Sequence, residues 1–190
     1  ADHTNDYYVL DTVSTTSWSS GEDLYGGSWD SDPYTITQRY SWDAGRGCFT
    51  YKYEVTNGYE VNADGTIKMR DIKDAEGNVT GKEPVPLITS IDPFLGGMFA
   101  IRTTGHGSDI FGNSTYTTTW ITFQVVRGKL VTIRTESTTT GEDVLGNSTT
   151  SHSVTVNNYK WRNKTTHEEN TGADHTNDYY VLDTVSTTSW

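Results

Sequence analysis

The sequence predicts an all-β fold: an antiparallel β-sandwich or flattened barrel, built mostly of meander hairpins, with about nine or ten strands per unit. Three observations predict it. Serine and threonine make up about a quarter of the 190 residues, and six Trp and twelve Tyr accompany them; β-branched and aromatic side chains suit a pleated, half-buried surface. Apolar residues alternate with polar ones along most segments, which is the period of a strand. Between these segments stand glycine turns, and no stretch carries the periodicity of an amphipathic helix.

The strands follow in order. Segments 6–18, 34–42, 47–56, 59–62, 65–72, 98–104, 115–126, 129–138 and 149–161 read as strands. Asn57-Gly58, Ala63-Asp64-Gly65 and Arg127-Gly128 supply the residues that tolerate positive φ in tight hairpins. Segment 84–97 interrupts the alternation with prolines and Gly96-Gly97, and reads as a crossover or one helical turn.

Ala1 to Trp18 recur letter for letter as Ala173 to Trp190. The offset makes residues 1–172 one complete unit, with a polar connector at about 162–177. Residues 173–190 are then the first strand of the next unit, or a strand donated to it. Tyr179, Tyr180, Val181 and Leu182 place apolar side chains on both faces, as in a strand covered on both sides. With Val185 and Trp190 they are the expected inter-unit contacts. Strand addition combines main-chain hydrogen bonds with pockets for alternate side chains. In architecture alone, this resembles the donor-strand logic of pilus subunits and the tandem domains of surface adhesins; no motif carries a family assignment.

A shorter pattern, G-x-D-φ-φ-G-[GN]-S, occurs at 21–28, 107–114 and 141–148. Asp23, Asp109 and Asp143 are placed to accept backbone N–H groups in wide hairpin loops, and the apolar pairs beside them are expected to cap the core. A binding rim made of the three loops is the sharper alternative.

Glu60, Asn62, Asp64 and Asp71 match part of the spacing of an EF-hand calcium loop. The flanking segments read as strands rather than helices, so a hairpin turn is the preferred reading and calcium the minor one; no other cofactor is expected. Asn78, Asn113, Asn147 and Asn163 head N-x-[ST] sequons, the acceptors of N-glycosylation. The surface aromatics could include a sugar-stacking platform, though core and cross-strand packing is the commoner use. The lone cysteine, Cys48, reads as a small buried hydrophobe.

The net charge is −11, and removing the three aspartates of 173–190 leaves −8 for one unit. Such a balance argues against nucleic acid and anionic membranes as partners. No segment approaches the roughly 18 apolar residues of a membrane span. No nucleophile–base set, phosphate loop or metal-binding histidine pair is present, so no enzymatic activity is expected. The sequence therefore points to a structural, secreted or cell-surface protein whose partners are neighbouring copies of the same unit, forming an extracellular fibre, pilus-like filament or stalk. The alternative is an adhesive or carbohydrate-binding module of a tandem-repeat surface protein, with surface glycans as its partners.

Overall fold

The structure, a computed structural model, describes residues 10–93 and 96–190. The first residues of the expected strand 6–18, and Phe94 and Leu95 of the expected crossover, lie outside that range. Among the described residues the fold is all-β, with 65% of them in strands or bridges and no helix. Thirteen strands follow one another among the described residues: β1 (Thr12–Ser17), β2 (Ser20–Glu22), β3 (Ser28–Ser31), β4 (Tyr34–Asp43), β5 (Cys48–Val55), β6 (Gly58–Tyr59), β7 (Met69–Lys73), β8 (Val79–Pro84), β9 (Gly97–Ser108), β10 (Ser114–Val126), β11 (Lys129–Glu142), β12 (Ser148–Asn163) and β13 (Asp178–Ser189).

Two sheets face each other. An eight-stranded antiparallel sheet runs β13-β12-β11-β10-β9-β3-β2, with β6 also pairing β9, and a three-stranded sheet runs β1-β4-β5. The last five strands form the expected meander, because the links between β9 and β12 are short turns that can only join sequential neighbours. At Arg127-Gly128 both residues take positive φ, 48° and 78°, the primed geometry that matches the twist of the flanking strands. The core lies between the sheets, where Tyr53 of β5 meets Phe99 and Ile101 of β9 and Val125 of β10. Tyr34, Ile36, Ile121, Phe123 and Leu130 pack around them. The Tyr51 and Tyr53 hydroxyls both donate to the Gly128 carbonyl, at 2.5 and 2.8 Å, tying β5 to the β10–β11 turn.

Several elements differ from expectation. Residues 20–22 and 28–31 form β2 and β3 on either side of the Asp23 loop, outside the expected strands, and β8 pairs with β7 in a separate hairpin. Strands β9 and β11 run on to Ser108 and Glu142, several residues beyond their predicted ends. The threonine-rich end of β11 pairs with β10 through hydroxyl contacts such as Thr117–Thr139, at 2.9 Å, with no apolar face to mark it in the sequence. Segment 84–93 crosses between the sheets in extended form, bridging Pro86 to Tyr59 and Ile91 to Tyr53. Cys48 is exposed, not buried, because the start of β5 runs past the core beside the turn at Asp43.

Candidate assembly site: the duplicated strand

The described part of the first copy and the second copy of the duplicated segment sit on different sheets. In the second copy, β13 pairs with β12, with Thr188 opposite Val154, Ser186 opposite Val156 and a bulge at Asn158/Tyr159. In the first copy, β1 pairs with β4, with Val13 opposite Gln38, Thr15 opposite Ile36 and Ser17 opposite Tyr34. The hexapeptide TVSTTS (Thr12–Ser17, Thr184–Ser189) thus forms the outermost strand of both sheets.

The two pairings use opposite backbone edges of that strand. Trp190 and His152 exchange both main-chain hydrogen bonds, at 3.1 and 2.9 Å, so the N–H and C=O groups at 190, 188, 186 and 184 aim at β12. In the first copy the Tyr40 amide donates to the Asp11 carbonyl at 2.7 Å, which aims 11, 13, 15 and 17 at β4. Those residues correspond to 183, 185, 187 and 189. The side chains agree, since cross-strand hydroxyl contacts form at the closer, non-hydrogen-bonded pairs. They join Thr155 to Thr187 at 2.9 Å in one copy. In the other they join Ser14 to Thr37 and Thr16 to Thr35, both at 2.9 Å.

The beginning of β13 is clamped by residues of the same chain. Arg127 donates to the carbonyls of Asp178 and His175, and its guanidinium lies 4.5 Å from the centre of the Trp161 ring. Trp161 stacks on His175, and Tyr159 stacks on Tyr180 at 5.2 Å. Asp178 is buried and accepts from Asn170 Nδ2 at 2.7 Å, with His175 Nδ1 2.8 Å away. The connector is held as well: Asn163 Oδ1 accepts the Thr165 amide, and Lys164 N–H donates to Asn177.

Further along, cover is lost. Tyr179 and Tyr180 are half-buried and Val181 is likewise partly covered, whereas Leu182, Val185 and Trp190 are more than half exposed. The two-sided burial expected for Tyr179–Leu182 is therefore incomplete, since Leu182 is half exposed; among the described residues one edge of β13 pairs with β12 and the other pairs with no strand. Natural sheets blunt long edges with prolines, lysines or shortness. β13 has none of these over 12 residues, whereas β2 at the far end of the sheet is only three residues long.

The three G-x-D loops come together at one end of the large sheet. Asp109 Oδ1 accepts the amides of Phe111 and Asn113 at 2.9 and 3.0 Å, and Asn113 Nδ2 donates back to Oδ2 at 2.7 Å. Asp143 makes the same set with Leu145 and Asn147, and Asp23 holds the amides of Tyr25 and Gly27. Ile110 lies against Gly26 and Val144 against Gly112, so the loops form one row. Their apolar pairs do not cap the core, contrary to expectation. Leu24 is 99% exposed, Leu145 84% and Phe111 71%. The strands beneath them extend beyond the point where the small sheet covers them.

The remaining candidates are held in local contacts. Asp64 accepts from the Thr66 hydroxyl and amide in the turn closing the Val61–Ile67 bridge, Glu60 pairs with Lys68 at 2.7 Å, and Asp71 on β7 stands opposite Lys82 on β8. Among the described residues no three His, Cys, Asp or Glu side chains cluster as metal ligands. The sequon residues Asn78, Asn113 and Asn147 each donate their amide to the aspartate of their own turn. Among the described residues no helix is long and apolar enough to cross a membrane.

No family model matches the chain, nor does any curated protein or solved structure.

Proposed function

We propose that this chain is a structural subunit of an extracellular fibre or surface stalk, whose 172-residue units join end to end through segment 173–190. The observation that carries the reading is the identity of Thr12–Ser17 and Thr184–Ser189, each the outer strand of a different sheet in one chain. A sequence able to complete two different sheets can complete one of them in a neighbouring copy. The long unblunted edge of β13 and the exposed Leu182 and Val185 support it, since such edges attract further strands. On this reading the protein is secreted or displayed at the cell surface, has no catalytic role, and has its own copies as principal partners.

Sedimentation and negative-stain microscopy test the proposal. The full chain at high concentration forms end-to-end multimers, and a chain ending at residue 172 does not. Equal sedimentation of the two at every concentration contradicts it.

A second reading rests on the loop row. Six exposed apolar side chains (Leu24, Tyr25, Ile110, Phe111, Val144 and Leu145) on rigid turns form a ledge of the kind that marks interaction sites. Its function would be adhesion, with surface glycans as partners. Glycan-array binding lost on replacing the six by serine supports adhesion; an array with no binder argues against it.

A further inference from the structure

We infer that neighbouring units share one strand, β13 of one unit serving at the same time as β1 of the next, so that the large sheet of the first and the small sheet of the second fuse into one continuous sheet. The inference rests on the end-to-end reading above and specifies its joint. It follows from the opposite edges: residues 184, 186, 188 and 190 bond to β12, whereas their first-copy equivalents leave 183, 185, 187 and 189 to bond to β4. The two sets do not overlap. A single strand therefore satisfies both neighbours without losing a hydrogen bond to either.

The register of the joint follows from the first copy. Val185 stands opposite Gln38 of the second copy, Thr187 opposite Ile36, and Ser189 opposite Tyr34. On the other face, Ser186 meets Thr37 and Thr188 meets Thr35, repeating the two hydroxyl contacts of β1. Val13 and Thr15 line a groove with Ile36, Tyr53, Phe123 and Leu130, and Val185 and Thr187 enter the equivalent groove. Val13 is 37% exposed and Val185 55%, so the move covers apolar surface that β13 leaves wet. Asp183, already paired with Lys160, comes beside the Arg39–Tyr40 stretch that faces Asp11 in the first copy. The front half of the strand stays with its own unit, through the contacts of Arg127, Tyr159 and Trp161.

In the 190-residue chain β1 already occupies the β4 edge, so joining proceeds by exchange of identical strands, a low-cost route to association. Proline removes one N–H and is tolerated where that N–H faces solvent, which makes the parity testable in the full chain. Val13→Pro with Thr15→Pro strips the N–H groups that β1 gives to β4, opening that edge; multimers then form at concentrations at least ten times lower. Ser14→Pro with Thr16→Pro, on the solvent-facing parity, leaves assembly at its original level. Adding Val185→Pro and Thr187→Pro to the first pair returns the protein to single units, while amide-exchange protection of Val154 and Val156 persists, showing that β13 still holds β12. Multimers that survive the four substitutions overturn the shared strand and leave end-to-end assembly standing. Single units in every variant and in the parent chain overturn both.

Discussion

Trp190 and His152 hold one another twice. Each main-chain amide donates to the other's carbonyl, at 3.1 and 2.9 Å, and the rings stack with centroids 5.6 Å apart. This pair fixes the parity of the outer strand from Trp190 back to Thr184, where the bulge begins, because in an antiparallel ladder one such exchange sets every second residue along it. Trp190→Ala removes the stack and leaves the main-chain pair, costing about 1 kcal/mol at the strand end. Faster amide exchange confined to His152 and Trp190, with the rest of β12 unchanged, is the expected readout.

The core is small, and its loss is felt throughout. Phe99 is fully buried between the sheets and packs against Phe123 with ring centroids 5.5 Å apart. Phe99→Ala costs about 3–5 kcal/mol, a drop of roughly 10 °C in Tm for a chain of this length. Leu24→Ser, at a residue 99% exposed in the first loop, changes stability by less than about 0.5 kcal/mol. Thermal unfolding followed by circular dichroism separates the two.

Arg127 joins the β10–β11 turn to the start of β13. Arg127→Ala removes its bonds to the carbonyls of Asp178 and His175 and its contact with the Trp161 ring. The expected cost is about 1–2 kcal/mol, borne locally. Exchange should rise across 164–178 and the first half of β13 while β9 and β10 keep their protection. Arg127→Lys restores little, because a single ammonium cannot reproduce the planar, forked contact.

The loop aspartates make stability depend on acid. The side-chain amide of Asn113 holds the Asp109 carboxyl below its ordinary value, and that of Asn147 does the same for Asp143. A depressed folded-state value stabilises above the ordinary carboxylate range, and the contribution is lost as pH falls through the folded value. Melting temperature therefore falls below about pH 4. Asn113→Ala with Asn147→Ala lets both carboxyls titrate nearer their ordinary value, shrinking that acid-dependent component. Carboxyl NMR titration of Asp109 and Asp143 in the two proteins reads the change directly.

The central strands were legible in the sequence because β4, β5 and β10 alternate aromatic or aliphatic with polar residues, as β11 and β12 do over their inner halves. The short β2 and β3 were not. Gly21, Gly26 and Gly27 precede Trp29 in a run that reads as loop, and its pairing to β9 comes from tertiary position alone. β8 contains Gly81, Lys82 and Pro84, so propensity gives no hint of the ladder it makes with β7. The loop pairs misled for a related reason: Ile110-Phe111 looks like a core cap, and only the length of β9 and β10 places it beyond the core. The duplication itself was plain. That its copies use opposite edges depends on which sheet each enters, a long-range property that no local pattern encodes.

Disulfide capture reads the joint most directly. In a Cys48→Ser background, Thr35→Cys and Thr188→Cys stand opposite one another only when β13 of one copy lies on β4 of another, since Thr35 faces Thr16 within its own chain. Mild oxidation of that protein should give a ladder of covalent head-to-tail multimers, whereas Arg39→Cys with Thr188→Cys, displaced along the same strand, should give almost none. No ladder from the first pair, or equal ladders from both, would contradict joining of units through the duplicated strand.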